Sequence, residues 1–342
     1  MSRARKPTQI DIARLAGVSQ STVSLVLNES PDDTQIPPAT RQRVEDAVRE
    51  LGYVPNAAAR SLKGGRNHLL GLYSFEAVFP LDQRDFYYPL LAGVEEEAAE
   101  RGYDLLLFTS GERRGLFADG GQRLRVADGC VLLGRHIRRD DLERLVRDDF
   151  PVVFVGRRRV EGGELSYVAA DYAAATRDVV RRLAGLGHRR LLYLAAMEES
   201  EPGRDRADGY RLGLADAGLG HRAERVEAVG VTAAALENWL AQGVTAIVIE
   251  PTEDDRVAVA LQRAAGDLGV AIPGRLSVAL LGDPPSWSPA PRRWSGFAIP
   301  RTELARAAVG LLVDRLDGRP GPRTLHLPCP PVTGDSVGEV PC

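Results

Sequence analysis

The stretch ARLAGVSQSTVSLVLN, at positions 13–28, carries a high density of hydroxyl side chains: Ser19, Ser21, Thr22 and Ser24. Serine and threonine compete with a helix for its backbone hydrogen bonds, so a plain core helix would not favour them. On an exposed helix face, short hydroxyls can contact phosphate oxygens and base edges in the major groove of DNA. The stretch therefore indicates either a nucleic-acid contact or a helical hairpin whose polar side chains face water.

Two short helices would position these hydroxyls. Thr8 and Asp11 have the spacing of a capping box, which predicts the start of the first helix. Gly17 stands where a helix ends in a left-handed residue, and Ser19 can cap the second helix. The second helix has Val23, Val26 and Leu27 on its inward face and Gln20, Ser21, Ser24 and Leu25 on its outer face. Two helices joined by a glycine turn, the second with a polar outer face, predict a helix-turn-helix.

A third helix and a short hinge follow. The segment PPATRQRVEDAVRELGY places one apolar stripe on a helix that ends at Gly52: Val44, Ala47, Val48 and Leu51. In VPNAAARSLKGG, Asn56 can cap an alanine-rich helix that ends near Leu62. Such a helix is too short to be stable alone in water, so we expect it to form against a partner.

The rest of the chain alternates short apolar runs with amphipathic segments. HLLGLYSF, YDLLLFTS, PVVFVGR and VTAIVIE are typical of strands, whereas YYPLLAGVEEEAAERG and AAATRDVVRRLAGLGH are typical of helices. This alternation predicts an α/β body of parallel sheets joined by right-handed crossovers. Because about 275 residues exceed one simple sheet, we expect two similar lobes with a cleft between them.

Composition and charge limit the class of protein. The 342 residues are 44% hydrophobic and 27% charged, as in an ordinary globular protein. Residues 1–66 hold ten Arg or Lys against seven Asp or Glu, which gives a charge of +3. Since the whole chain has a net charge of −3, residues 67–342 carry −6. A basic head on an acidic body suggests that any polyanion binds at the N-terminus.

Several other functions lack support in the sequence. Cys130, Cys329 and Cys342 are far apart, which argues against a disulfide framework or a metal site. We find no signal peptide and no membrane span, so we expect a cytoplasmic protein. No nucleophile elbow, phosphate loop or dinucleotide fingerprint occurs, so we expect no enzymatic activity and no cofactor. The run GRRR at 156–159 is interpreted as solvated loop charge.

The segments TQIDIARLAGVSQSTVSLVLN and TRQRVEDAVRELGYVPNAAARSL, followed by this α/β body, resemble the LacI/GalR (lactose-repressor) family of bacterial transcription regulators. The resemblance implies a helix-turn-helix domain at 1–53, a hinge helix and linker at 54–66, and an effector-binding and dimerisation domain at 67–342. That last domain would have the type I periplasmic-binding-protein fold, with one lobe at 67–165 and 293–323 and the other at 166–292.

The resemblance also implies a homodimer, with a tetramer left open, whose recognition helices enter two half-sites of a pseudo-palindromic operator. Three sets of residues match the family's DNA-contacting positions: Gln20, Ser21 and Leu25 for bases, Thr8, Ser19, Thr22 and Ser24 for phosphates, and Asn56, Ala59 and Leu62 for the minor groove. The leucine pair would wedge between central base steps. Unstacking costs a few kcal/mol per step, which the contacts of a bent duplex offset.

Effector-binding positions can be carried over in the same way: Phe86, Tyr87, Asp171, Arg206 and Asp283. A carboxylate and a guanidinium facing one cleft would bind the hydroxyls or the carboxylate of a sugar or related metabolite. Other interpretations remain open at this stage. The two aromatic residues could belong to the core, Asp171 could be a helix N-cap, and Arg206 could form a surface ion pair.

Departures from the family pattern occur in the same region. Pro251-Thr252 stands where the family has Asn-Asp, Gly282-Asp283 stands for Asp-Asp, and Gly334 stands for a near-terminal arginine. The sequence thus predicts a ligand-responsive DNA-binding regulator, expected to act as a repressor. Whether the ligand releases DNA or promotes binding stays open. A regulator that no longer senses an effector and a small-molecule solute-binding protein are the alternatives.

Overall fold

A computed structural model describes residues 7–28, 36–53, 66–75, 84–109, 123–134, 139–161, 163–220, 223–251, 255–284 and 292–340. The chain divides into two compact units, Met1–Leu69 and Leu70–Cys342, which we call the head and the body. No single helix in these ranges is long and apolar enough to cross a membrane. One pair of head helices, bent by 106° at its break, passes the same test of length and composition when taken together.

Three helices form in the described part of the head: α1 (Gln9–Ala16), α2 (Gln20–Asn28) and α3 (Pro38–Leu51). The Asp11 carboxylate accepts hydrogen bonds from the backbone N–H of Thr8 (2.8 Å) and from its hydroxyl (2.7 Å), which confirms the capping box. Gly17 ends α1 with a left-handed φ of 65°, and Gly52 ends α3 with a φ of 58°. Both positions suit glycine, because a Cβ disfavours this conformation.

Apolar side chains from all three helices meet in one small core. Its buried members are Ile12, Ala13, Ala16, Val23, Val26, Ile36, Val44 and Ala47. Val23 and Val26 of α2 thus face inward as predicted, and Leu27 packs against the same core. The helix-turn-helix predicted from the sequence is confirmed. The outer face of α2 does not pack into this core.

Two six-stranded sheets form the body. The first contains β1 (Leu69–Ser74), β2 (Asp104–Thr109), β3 (Gly129–Leu133), β4 (Val152–Val155), β5 (Tyr167–Ala170) and β11 (Thr324–Leu327), in the order β11-β5-β4-β3-β1-β2. The second contains β6 (Leu191–Ala195), β7 (Ala223–Arg225), β8 (Ala246–Ile249), β9 (Ser277–Leu280), β10 (Ser295–Phe297) and β12 (Pro331–Val332), in the order β12-β10-β9-β8-β6-β7. The registered pairs are parallel except β10 with β12. The predicted α/β body with parallel sheets is confirmed.

Helices connect these strands: α4 (Arg84–Glu100), α5 (Arg139–Arg147), α6 (Tyr172–Gly185), α7 (Glu201–Asp216), α8 (Ala233–Ala241), α9 (Arg256–Asp267) and α10 (Arg301–Leu316). Glycine lets two helix pairs approach closely. A Cβ on Gly93 of α4 would lie 2.4 Å from the carbonyl oxygen of Thr302 in α10. A Cβ on Gly209 of α7 would lie 2.3 Å from the carbonyl oxygen of Ala173 in α6. The backbone of each partner therefore rests directly on glycine.

The pairing of three strands corrects the predicted lobe boundaries. β5 pairs with β4 and β11 in the first sheet, although residues after 165 were assigned to the second lobe. β10 pairs with β9 and β12 in the second sheet, although residues from 293 were assigned to the first lobe. β11 then returns to the first sheet before β12 joins the second. The chain thus crosses between the lobes after 170, after 297 and again after 327. The predicted boundaries miss these crossings because the short strands on either side are placed by partners that are distant in the sequence.

Candidate functional site

The outer face of α2 is available to a partner in the head. Gln20, Ser21 and Leu25 are exposed, and 46% of Leu25 is accessible to solvent. An exposed leucine among polar side chains gains from apolar contact, and a thymine methyl in the major groove offers one. The three residues predicted to read bases therefore lie together on one accessible surface.

The hydroxyls predicted to contact phosphate already have partners inside the head. Ser19 Oγ accepts from the backbone N–H of Thr22 (3.0 Å) and lies 2.9 Å from Thr22 Oγ1, so Ser19 caps α2 as predicted. The Thr8 hydroxyl donates to Asp11. A phosphate oxygen needs a donor, so contact through Thr8 requires its hydroxyl to rotate away from Asp11. Ser24, the fourth predicted phosphate contact, is half-buried on α2.

The predicted minor-groove residues Asn56, Ala59 and Leu62 lie outside the described residues, as does the loop from 29 to 35. Their roles stay predictions from the sequence.

Arg206 is the most buried charged residue among the predicted effector contacts. It is 5% exposed, and its Nε donates to the carbonyl oxygen of Leu281 at 2.9 Å. Its guanidinium carbon lies 4.0 Å from the ring centroid of Tyr172, a cation–π distance. No ion pair of Arg206 is found among the described residues, so the surface ion pair left open by the sequence is not what forms. The helix α7 holds this cation at the carboxyl end of β9.

Asp283 and Phe86 are brought together by an arginine that the sequence interpretation did not single out. Asp283 accepts hydrogen bonds from the backbone N–H of Ile299 (3.0 Å) and from Arg301 (2.6 Å). The Arg301 guanidinium carbon lies 5.5 Å from the ring centroid of Phe86. Arg301 begins α10, directly after the chain leaves the second sheet. Its position at this crossing is the signal that could have identified it.

Two of the predicted effector contacts take the alternative roles. Tyr87 is 0% exposed within the main core of the body, so its predicted role as a ligand contact is corrected to a core position. Its ring packs edge-on against Phe86 at 4.9 Å between centroids. Asp171 caps α6 by accepting from the backbone N–H of Ala174 at 3.0 Å. Asp171 stays partly exposed, so capping leaves carboxylate capacity for a ligand.

Contacts bring charged residues of the two lobes together: Arg206 donates to Leu281, two residues before Asp283, and stacks on Tyr172, directly after Asp171. Burial raises the pKa of the Cys329 thiol to about 12, and the charges that act on it belong to Arg206, Asp171, Asp283 and Arg301. Burial likewise raises the pKa of Tyr172, against the attraction of Arg206 and Arg301. We call the group Phe86, Asp171, Arg206, Asp283 and Arg301 the interlobe site.

Two further ion pairs join the lobes beside this site. Arg157 pairs with Asp205 of α7, and Arg158 lies 3.8 Å from Glu201 of the same helix. Arg158 also donates to the carbonyl oxygen of Gly134 at 3.0 Å, and its guanidinium lies 4.9 Å from the centroid of the Phe154 ring. The interpretation of GRRR as solvated loop charge is therefore wrong for its first two arginines, because both are half-buried and each contacts a carboxylate of α7.

Gly334 stands where an arginine was expected from the family pattern, and the backbone leaves no room for a side chain there. A Cβ on Gly334 would lie 1.8 Å from the carbonyl oxygen of Arg293. Any arginine at this position would require the crossing segments to move apart. Among the described residues, no group of three or more His, Cys, Asp or Glu is arranged to hold a metal ion.

Two family models match separate parts of the chain, one in the head and one in the body. Residues 8–56 match the family described as "Bacterial regulatory proteins, lacI family", and residues 180–337 match "Periplasmic binding protein-like domain". The HTH-type transcriptional regulator CelR of Thermobifida fusca is 38% identical over 226 residues. That alignment covers 64% of this chain and 64% of CelR, so it spans less than two thirds of the relative.

Solved structures with the same architecture cover nearly the whole chain. The "transcriptional regulator CelR-cellobiose complex" has a TM-score of 0.62 and 28% identity, over 96% of this chain and 99% of that one. The lac repressor dimer bound to operator and the anti-inducer ONPF has a TM-score of 0.68 and 22% identity, over 98% and 100% of the two chains. At that identity the second likeness establishes the fold alone.

Proposed function

Because residues 8–56 match the lacI family of bacterial regulatory proteins, we propose that the chain belongs to this family and is a DNA-binding transcriptional repressor acting in the cytoplasm. It would bind a pseudo-palindromic operator as a homodimer. The observation that carries this proposal is the accessible α2 face of Gln20, Ser21 and Leu25 on a folded helix-turn-helix. The relatives found by comparison are transcriptional regulators, and no enzymatic activity is proposed.

The domain organisation follows from the same proposal. Residues 1–53 would read the major groove, 54–66 would form the hinge helix in the minor groove, and 67–342 would dimerise and bind the effector. Hinge helices too short to be stable alone would form only as a pair against DNA. The leucine pair at 62 would then wedge between base steps and kink the duplex.

Effector control would be a coupling free energy between the interlobe site and the DNA. A ligand between the lobes changes their relative angle, which changes dimer contacts and either seats or melts the hinge helices. The buried cation Arg206, the partly exposed carboxylate Asp171 and the half-buried ring of Phe86 supply hydrogen-bonding and stacking groups for a small polar molecule. CelR is described in complex with cellobiose, which makes a sugar or related metabolite the first effector class to test.

The stoichiometry on DNA tests the first part of the proposal. The full chain would be titrated onto a duplex that it enriches from random DNA, and the complex would be sized by sedimentation. Two chains per duplex are expected, or four if the protein is tetrameric. One chain per duplex would contradict a dimeric repressor.

Thermal shifts with sugars, sugar phosphates and nucleosides test effector binding. A ligand at a hundred times its dissociation constant should stabilise the body by about 2.7 kcal/mol. If no candidate shifts the transition while operator binding persists, the chain is an effector-independent regulator. Ligand binding without any DNA binding would instead favour a solute-binding protein.

A further inference from the structure

A cavity of about 260 Å³ lies in the second lobe, between α6 and the edge of the second sheet. One face of α6 lines it with residues three or four apart: Ala175, Asp178, Val179 and Arg182. Strands β9, β10 and β12 line the opposite side. Voids larger than a water molecule are few in a close-packed domain, and an apolar cavity of about 150 Å³ already binds benzene. The cavity is therefore large enough for a small organic molecule.

Small residues on both sides leave this space open. The helix contributes Ala175, and the sheet contributes Ala279 of β9 and Gly296 of β10, none of which has a side chain that could reach across. Val179 and Phe297 make the walls beside them apolar. An apolar cavity favours the hydrocarbon part of a ligand.

The cavity has one polar end and one apolar end. The end of α6 leads by a short turn into the start of β6, so it lies beside the starting ends of the parallel strands. Arg182, in the last turn of α6, and Ser295, the first residue of β10, therefore line the same end of the cavity. Phe297 and Cys329 line the other end.

Ser295 places an unused hydrogen-bond donor at the polar end. It is 3% exposed, and its Oγ accepts from the backbone N–H of Gly334 at 3.1 Å. No acceptor for its hydroxyl proton is found in the described part of the chain. Side chains alternate along a strand, so Ser295 points to the same face as Phe297, whose ring lies 6.3 Å from that of Tyr172 in α6. The free proton of Ser295 thus favours a ligand with an acceptor group.

Arg182 adds a positive charge at the same end. Among the described residues no carboxylate forms an ion pair with Arg182. The carboxylate nearest to it along this face of the helix, Asp178, lies 3.7 Å from Arg181. A guanidinium and a hydroxyl together form a donor set suited to a carboxylate, which binds through charge-assisted hydrogen bonds.

We propose that this cavity is a second small-molecule site and that it binds an apolar monocarboxylate of the size of a monocyclic aromatic acid. The hydrocarbon part fills the space between Ala175, Ala279 and Phe297, and the carboxylate accepts hydrogen bonds from Ser295 and Arg182. The polar end lies opposite the carboxyl ends of the strands, where the interlobe site is found. This site therefore does not depend on the interlobe site binding an effector.

The first test fills the cavity. Benzoate, benzyl alcohol and benzylamine share a ring and differ in charge, and each would be titrated into the full chain by ligand-observed NMR. Ala175→Leu places a larger side chain in the space, and Ala174→Leu, an exposed position on the same helix, is the matched control. The wild type should bind benzoate more tightly than the other two probes. Ala175→Leu should lose benzoate binding, and Ala174→Leu should keep it.

The second test concerns the charge at the polar end. Arg182→Gln should weaken benzoate binding at least about tenfold, the effect of losing a charge-assisted hydrogen bond, and leave benzyl alcohol unchanged. Arg181→Gln removes the same charge from a position outside the cavity and is the control. Because Arg182 is exposed, this variant keeps its fold even if Ala175→Leu does not.

Four results would overturn the proposal. They are failure of every probe to bind the wild type, unchanged benzoate binding by a folded Ala175→Leu, binding of either other probe as tight as that of benzoate, and equal losses in Arg181→Gln and Arg182→Gln.

Discussion

Arg157, which follows β4 of the first sheet, pairs with Asp205 on α7 of the second lobe. The pair lies one helical turn from the pair of Arg158 with Glu201, so consecutive arginines of one lobe contact consecutive turns of one helix in the other. The interlobe arrangement therefore depends on charges that stand beside the candidate effector site. An effector that alters this arrangement must compete with these ion pairs.

The Asp205→Asn variant should be as stable as the wild type at pH 7, or more stable. Burial raises the pKa of Asp205, and the attraction of Arg157 opposes this without cancelling it. A carboxyl whose folded pKa is raised contributes stability at low pH and loses it as the pH rises through that pKa. Asparagine removes this loss and still accepts a hydrogen bond from Arg157.

Urea unfolding between pH 4 and pH 8 measures this difference. The advantage of the variant should grow with pH and vanish in acid. Asp208→Asn, an exposed position on the same helix, is the control. A typical exposed ion pair contributes at most about 1 kcal/mol. If Asp205→Asn were less stable than the wild type at pH 8 by more than this, the attraction between Arg157 and Asp205 would outweigh the cost of burying the Asp205 carboxylate.

His188 should make the body less stable in mild acid. It is 0% exposed, with Nε2 3.0 Å from the carbonyl oxygen of Gly338 and Nδ1 2.9 Å from the Thr245 hydroxyl. Burial lowers its pKa, against the hydrogen bond to Gly338. Since the unfolded chain then binds the proton more tightly, stability is present above the ordinary pKa of about 6.5 and is lost as the pH falls through it.

The His188→Gln variant should therefore have a flatter dependence of unfolding free energy on pH between 7 and 5. Parallel urea titrations of the wild type, this variant and the exposed control His68→Gln would measure it. Identical slopes for the wild type and His188→Gln would show that another group carries the pH dependence.

Leu25→Ala should change which DNA sequence the head prefers. Leu25 is exposed between polar neighbours on α2, and losing a base contact costs about 1–3 kcal/mol at the affected base pair. Competition binding against a set of single-base operator variants measures this change, with Gln42→Ala on the exposed face of α3 as the control. If Leu25→Ala changed only the salt dependence of binding, the assignment of this face to base reading would be wrong.

Leu62→Ala should weaken operator binding far more than non-specific binding. The prediction comes from the position of Leu62 at the end of the hinge segment, where a paired leucine wedge would act only on a bent, specific site. Anisotropy titrations on operator and on scrambled DNA at one salt concentration would compare the two losses. Equal losses on both duplexes would exclude the wedge.

Local sequence rules predicted the three helices in the described part of the head. Capping by Thr8 and Asp11, the left-handed Gly17 and the inward Val23 depend on neighbours within a few residues, and all are confirmed. Strands of the body with a continuous apolar run, such as β1, β2, β4 and β8, were predictable for the same reason. β5 and β10 are not among the predicted strands, because YVAA and SGF lack the continuous apolar run that marks the equally short β4 and β8, and they are placed by distant partners.

The candidate effector site could be predicted only in part. Arg206 and Asp283 were proposed through the family pattern, but Arg301 and Arg157 were not. Both of these are given their contacts by residues far away in the sequence or in the other lobe, so their local sequence resembles ordinary surface charge. Burial of a charge is a tertiary property.

The central claim is that paired heads read a palindrome, and selection of genomic fragments by the purified full chain tests it most directly. The selection must be run at a stated salt concentration, because phosphate contacts make affinity strongly salt-dependent. We predict enrichment of a pseudo-palindromic site that survives moderate salt. Weak, non-palindromic enrichment that disappears with salt would contradict the account, because it would mean that the heads bind DNA singly, without the paired hinge.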